Sequence, residues 1–181
     1  MSRMPTPGES ADVVLRALRR TRQIRGFTGE PVDEDALQSI LDVARWTGSS
    51  TNLQPWLFLV VRDGETRRRI AEVAPYARHV AAAPLALAIA MPGEDLESEA
   101  YDEGRVAERV LIAASALGLG AGIGWADGAE QQAEVGALLG VAPRAFVRTV
   151  ISLGHPTDAA LQKRSGPRTG RRPLADFVRE R

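Results

Sequence analysis

Gly48-Ser49-Ser50-Thr51-Asn52-Leu53-Gln54-Pro55 runs without a break into Trp56-Leu57-Phe58-Leu59-Val60-Val61, and the turn pair Asp63-Gly64 follows. The second half is a continuous apolar run of strand length, which predicts a strand buried on both faces. The first half is a polar loop rich in small hydrogen-bonding side chains. A loop held by a rigid strand is where binding groups are usually placed. Turn chemistry alone would also produce such a composition.

Working outward, Asp33 to Trp46 places Ala36, Leu37, Ile40, Leu41 and Ala44 at helical spacing. Further upstream Ser10 caps an amphipathic helix that carries Val13, Val14, Ala17 and Leu18 and fades near Thr21. Downstream, Glu65 to Ala74 reads as a short helix, Pro84 to Met91 as a second buried strand and Glu99 to Leu117 as a long helix. Ala129 to Leu139 gives another helix, and Phe146 to Leu153 a strand ending in the Gly154-His155-Pro156 turn. Helices and short strands alternate, so the class is α/β or α+β. Residues 1–9 are expected to form a flexible tail and residues 10–181 a single domain. The stretch from Thr157 is polar and basic, yet ends in Leu174, Phe177 and Val178. That ending predicts an arm, residues 157–181, docked on this chain's body or on a partner subunit.

The 181 residues include no cysteine, so disulfides, thiolate metal sites and cysteine nucleophiles are excluded. His79 and His155 lack metal-ligand spacing, and no metal is expected. Acidic and basic residues balance at 23 each, which argues against a nucleic-acid binder. The N-terminus lacks a signal-type apolar stretch and the apolar runs are too short to span a bilayer, so a soluble, cytoplasmic protein without membrane attachment is expected. The charge is unevenly spread. Both ends are basic, while Glu94 to Glu108 holds seven acids against one arginine. If the two ends meet, an anion would suit that place; two solvated arginine-rich ends are the plainer alternative.

Three segments carry candidate chemistry. Arg22-Gln23-Ile24-Arg25-Gly26-Phe27 lies between two helices, and loop arginines can bind phosphate oxygens or donate to a ring carbonyl. In the loop Gly48 to Asn52, Ser and Asn side chains can pair with the mixed donor and acceptor edge of a heterocycle. Gly118, Gly120, Gly122 and Gly124 alternate with larger residues; in an extended run they would form a bare strip against which a flat ring could lie. A plainer reading makes Gly118 a helix cap and the other glycines relief for tight packing.

Taken together, these residues resemble the nitroreductase family of flavoproteins. Its members carry Arg-Arg-Ser-hydrophobic-Arg-x-Phe, then Pro-Val, then Ala-Arg-x-Ala-Pro-Ser-Ser-x-Asn-x-Gln-Pro-Trp. The matching stretches are Arg22 to Phe27, Pro31-Val32 and Ala44 to Trp56. The family's Gly-Leu-Gly run, its strand ending in Gly-x-Pro and its final basic-Pro-Leu segment are matched by Leu117 to Gly120, Leu153 to Pro156 and Arg171 to Leu174. Two positions depart from the pattern: the first arginine falls on Thr21 and the proline before Ser-Ser on Gly48.

The resemblance implies an α+β fold, an α/β sandwich with a central, mostly antiparallel sheet flanked by helices, in an intertwined homodimer with FMN at the interface. It implies that Arg22, Gln23 and Arg25 contact FMN, that Gly48, Ser49, Ser50 and Asn52 reach it across the subunit boundary, and that Gly124 and Trp125 face the ring. Arg171 or Arg172 would bind the phosphate, with Arg20 or Arg168 supplying the cation missing at Thr21. It also implies ping-pong hydride transfer from NAD(P)H through flavin N5 to a small nitroaromatic or quinone-type acceptor, with no side chain needed as acid or base. A flavin or deazaflavin enzyme acting as a specific metabolite dehydrogenase, and a non-catalytic FMN-binding module, are the alternatives.

Overall fold

Period-two alternation of large and small residues organises the sheet. In the computed structural model, which describes residues 7–162 and 170–180, β1 (Leu57–Val61), β2 (Leu85–Met91), β3 (Gly120–Trp125) and β4 (Phe146–Gly154) pair in the order β1-β2-β4-β3. Every pairing is antiparallel. Leu85, Leu87, Ile89 and Met91 point to one face with Ile151 and Leu153, where they pack on α2 (Glu34–Arg45) and α4 (Leu96–Ala116). Ala86, Ala88 and Ala90 point to the other, against α3 (Gly64–Val73), the 3₁₀ turn Pro75–Val80 and α5 (Gly128–Leu138). Helices thus cover both faces of an antiparallel sheet, and the class is α+β.

Local signals explain where the elements start and stop. Asp33 caps α2, its side chain accepting from the Asp35 N–H at 2.8 Å, and Leu37, Ile40 and Ala44 form the buried stripe. The turn ahead of α4 is fixed by Glu99, whose carboxylate accepts from the backbone N–H groups of Gly93, Glu94 and Asp95. At the other end of α4, Gly118 adopts φ +76° while Leu119 N donates to the Ala114 carbonyl at 2.8 Å. This is the left-handed cap that glycine supplies without strain.

Two expectations change. The first helix, α1 (Pro7–Arg20), starts at Pro7 rather than at Ser10, so the last residues of the expected tail are helical, and residues 1–6 lie outside the described residues. β1 is not buried on both faces: it is an edge strand, and Leu57 and Val60 are exposed. An apolar run of strand length reads alike in the middle and at the edge of a sheet. No helix among the described residues is long and apolar enough to cross a membrane.

Candidate cofactor site

After α1 the segment Arg22 to Phe27 runs along the outer edge of β3, an edge strand whose backbone needs partners. Ile24 N donates to the Ala121 carbonyl at 2.7 Å, and Ile123 N donates to Gln23 Oε1 at 3.1 Å. Arg25 Nη2 donates to the Ile123 carbonyl at 3.2 Å and to Gln23 Oε1 at 2.8 Å. Both hydrogens of that one nitrogen are therefore used. The guanidinium is aimed, while its Nη1 and Nε keep their donors with no partner among the described residues. A donor fork fixed by one prong suits an anion or a ring carbonyl.

The glycine strip is not bare. A Cβ on Gly120 would sit 2.7 Å from Ile24 Cγ2, one on Gly122 2.7 Å from the Ile24 carbonyl, and one on Gly124 2.6 Å from Ala77 Cβ. The chain's own segment and the 3₁₀ turn fill the strip, and Gly118 lies outside the strand as the α4 cap. The expected ring-binding face is thus a packing face. The glycines act one step removed from the site, by letting the arginine segment lie tightly against β3.

At the start of this segment Thr21 turns inward, its hydroxyl donating to the Ala17 carbonyl at 2.9 Å. Arg20, one of the two candidates for the cation absent at Thr21, lines a cleft of about 190 Å³ together with Arg22, Leu111, Ser115 and Leu161. Arg22 also donates to the carbonyls of Ala160 and Leu161 in α6 (Asp158–Gln162). The arginine segment therefore contacts α6, the helix that precedes the basic C-terminal stretch. Arg168 lies outside the described residues. Arg171 is exposed, and Arg172 is engaged locally, donating to Asp176 at 3.2 Å with its guanidinium 4.7 Å from the Phe177 ring centre.

The polar loop Gly48 to Gln54 holds three non-glycine residues at positive φ, Thr51, Asn52 and Gln54. Such conformations persist only where the surroundings impose them. Here Gln54 N donates to Ser49 Oγ at 2.8 Å, and Ser50 N donates to Asp102 Oδ2 at 3.0 Å. Asp102 is almost fully buried and also pairs with Arg105 at 3.2 Å. A Cβ on Gly48 would lie 2.9 Å from Arg105 Nη2. The Arg105 guanidinium thus takes the space that a side chain at position 48 would need.

Helix α4 separates the loop from the arginine cleft. Asp102, which anchors the loop, and Leu111, which lines the arginine cleft, are nine residues apart. At 1.5 Å and 100° per residue, that is about 14 Å along the helix and about 180° around it. The loop and Arg22 therefore sit on opposite sides of α4. The cleft volume of about 190 Å³ also falls below the roughly 300–1,000 Å³ of small-molecule sites. One chain presents the arginine cleft and the loop facing away from each other.

Trp125 follows the outer edge of β3, with Arg148 placed 5.6 Å from its ring centre. Arg148 is the extra residue of a β-bulge, since Ile89 pairs with Thr149 and Ala90 with Val147. The bulge brings both Arg148 and Thr149 to the α4 face, where Arg148 Nη1 lies 3.5 Å from Glu103 Oε2. Burial raises the pKa of the Glu103 carboxyl. His79, read from the sequence only as a poor metal candidate, contacts the Ile123 carbonyl at 3.2 Å, and Asp102 holds the loop. Nothing in the sequence marked either one, because both act through backbone atoms distant in the chain.

Arg20 and Arg22 on the cleft, the free donors of Arg25 and the pinned loop fit a phosphate-bearing heterocycle such as FMN, provided that a second chain completes each half. A family model described as the nitroreductase family matches residues 18–84. A Methanothermobacter thermautotrophicus protein described as an NADH dehydrogenase/NAD(P)H nitroreductase is 31% identical over 149 residues, covering 80% of this chain and 78% of that protein. A Thermus thermophilus NADH dehydrogenase is 30% identical, covering 81% and 88%. Among solved structures, a nitroreductase from Desulfovibrio desulfuricans in complex with FMN superposes with a TM-score of 0.79 at 29% identity over 98% of both chains.

Proposed function

Because this chain belongs to the nitroreductase family, we propose that it is a homodimeric FMN-dependent oxidoreductase that passes hydride from NAD(P)H to a small organic acceptor of nitroaromatic or quinone type. The observation that carries this reading is the Arg25 guanidinium, held by a single nitrogen against β3 with its other donors free. Arg20 and Arg22 would hold the phosphate at the cleft, with Arg171 or Arg172 added from the C-terminal arm. Gln23, Arg25 and the backbone at Gly124 and Trp125 would border the ring. Gly48, Ser49, Ser50 and Asn52 of a second copy would close the other side, since α4 keeps this chain's own loop away. A bound flavin would supply the two-electron redox chemistry that links the nicotinamide to the acceptor. The chain's contribution is to bind, to orient and to place positive charge where the reduced ring becomes electron-rich.

Dimer formation is supported by apolar surface that the single chain leaves uncovered. Val13, Val14, Leu15 and Leu18 on α1 are exposed, as are Leu174, Phe177 and Val178 at the C-terminal end. Contiguous apolar surface of this kind marks an interface. In this reading residues 157–181 form the arm that docks on the partner subunit. The test is direct: purify the protein, measure FMN content per chain, and follow the flavin absorbance on adding NADH or NADPH and then a quinone. Bleaching and recovery are expected. A protein that takes up no FMN rejects the reading, and one that binds FMN without being bleached is a binding module.

A further inference from the structure

His79 stands on the 3₁₀ turn Pro75–Val80, which packs through Ala77 against Gly124 of β3. Its Nδ1 lies 2.8 Å from Ser152 Oγ and its Nε2 lies 3.2 Å from the Ile123 carbonyl oxygen. A carbonyl only accepts, so Nε2 carries a hydrogen. Burial, followed by the positive charge of Arg25, lowers the imidazole pKa to about 4, so the ring is neutral at pH 7 and Nδ1 has no hydrogen. Ser152, whose hydroxyl also lies 3.2 Å from the Gly122 carbonyl, then donates its single hydrogen to Nδ1. The neutral tautomer with its hydrogen on Nε2 satisfies the Ile123 and Ser152 contacts, with the Ser152 hydroxyl turned to Nδ1 in place of the Gly122 carbonyl.

The Ile123 carbonyl consequently accepts from two side chains, Arg25 and His79, and the N–H of the same residue donates to Gln23. Two donors use both lone pairs of the oxygen. A cation in place of the neutral imidazole would repel Arg25, whereas an apolar residue would leave part of the carbonyl unmatched. The segment that carries Arg25 covers the glycine strip at Gly120 and Gly122, and the turn that carries His79 covers the same face at Gly124.

We propose that His79 is a positioning residue of the cofactor site: by sharing the Ile123 carbonyl with Arg25, it fixes the outer edge of β3 and the direction in which the Arg25 guanidinium presents its free donors. Sequence resemblance draws attention to the arginine segment and the loop; this role lies in a third element that neither contains. It rests on the flavin reading above. Without His79 the carbonyl has only Arg25 to satisfy it, and the guanidinium is drawn further onto the strand and away from a ligand.

The test compares the wild type with His79→Gln, His79→Leu and Ser152→Ala. Imidazole nitrogen NMR of the ligand-free wild type at pH 7 is expected to show the hydrogen on Nε2. Titration with FMN is expected to give about tenfold weaker binding for His79→Leu and recovery in His79→Gln, whose amide can still donate to the carbonyl. Ser152→Ala, which keeps His79 but frees its ring, should fall between the two and covers the case in which His79→Leu does not fold. The midpoint potential of the bound flavin should become more negative in His79→Leu, because fewer Arg25 donors face the reduced ring. A hydrogen on Nδ1, or wild-type FMN affinity and potential in both His79→Leu and Ser152→Ala, overturns the proposal. If the wild type itself takes up no FMN, the flavin reading fails and this role with it, an outcome set apart by blank titrations in all four proteins.

Discussion

Gly122 shows how a residue far from any chemistry can decide the site. A Cβ there would meet backbone, the Ile24 carbonyl at 2.7 Å, and also Arg25 Cγ at 2.8 Å. Neither strand β3 nor the arginine segment can give way cheaply, so Gly122→Ala should cost about 1–3 kcal/mol in chemical denaturation. It should weaken FMN binding in the same variant, because the clash displaces Arg25. His79 carries a separate, pH-dependent prediction. In the unfolded chain it protonates near 6.5, in the folded chain near 4. Between these values the unfolded chain binds the extra proton, so folding stability falls as the pH drops through that window. Glu103 works in the opposite sense: its carboxyl pKa is raised by burial, and as the pH falls the folded chain protonates it first and sheds part of the burial cost. The difference between wild type and His79→Gln isolates the histidine. From pH 7 to pH 5, denaturant midpoints should fall more in the wild type than in His79→Gln; equal slopes would contradict the assignment.

Helix α4 is the element on which the site is assembled, and its buried acidic residues do that work. Asp102 accepts from Ser50 N and pairs with Arg105. Asp102→Ala would remove the acceptor of Ser50 N and the ion-pair partner of the half-exposed Arg105, at a cost of about 1 kcal/mol. Amide hydrogen exchange should then rise locally across residues 49–54, while β2 and β4 stay protected. From the sequence, α4 and its neighbours were legible because helical and two-residue periodicities are properties of consecutive residues. The motif order also located the arginine segment and the loop. What the sequence did not disclose depends on contacts between distant residues. The acidic run Glu94 to Glu108 read as a charge block, yet Glu99, Asp102 and Glu103 are buried and tie the pre-helix turn, the loop and Arg148 to α4. The alternating glycines were seen, but the flat ring first suggested for them is replaced by Ile24 and Ala77. The bulge at Arg148 has no local signature either.

At the scale of the molecule, the single chain leaves apolar side chains of α1 and of its C-terminal end in solvent, and α4 holds its two half-sites apart. In the proposed dimer a second copy would cover the apolar surface and bring its loop to the arginines of the first. Phe177→Asp should therefore shift the protein toward monomer in sedimentation velocity and lower FMN content in parallel. Loss of dimer with full FMN retention would separate the two and count against a shared site. The most direct measurement is FMN stoichiometry in a mixed dimer, isolated through two different tags, of one Arg25→Ala chain and one Ser50→Glu chain. Each variant alone should retain little FMN. If every site takes Arg25 from one copy and the loop from the other, the mixed dimer contains one intact site and binds one FMN per two chains. If both halves belong to the same chain, both sites are damaged and the mixed dimer binds none, which would contradict the proposed architecture.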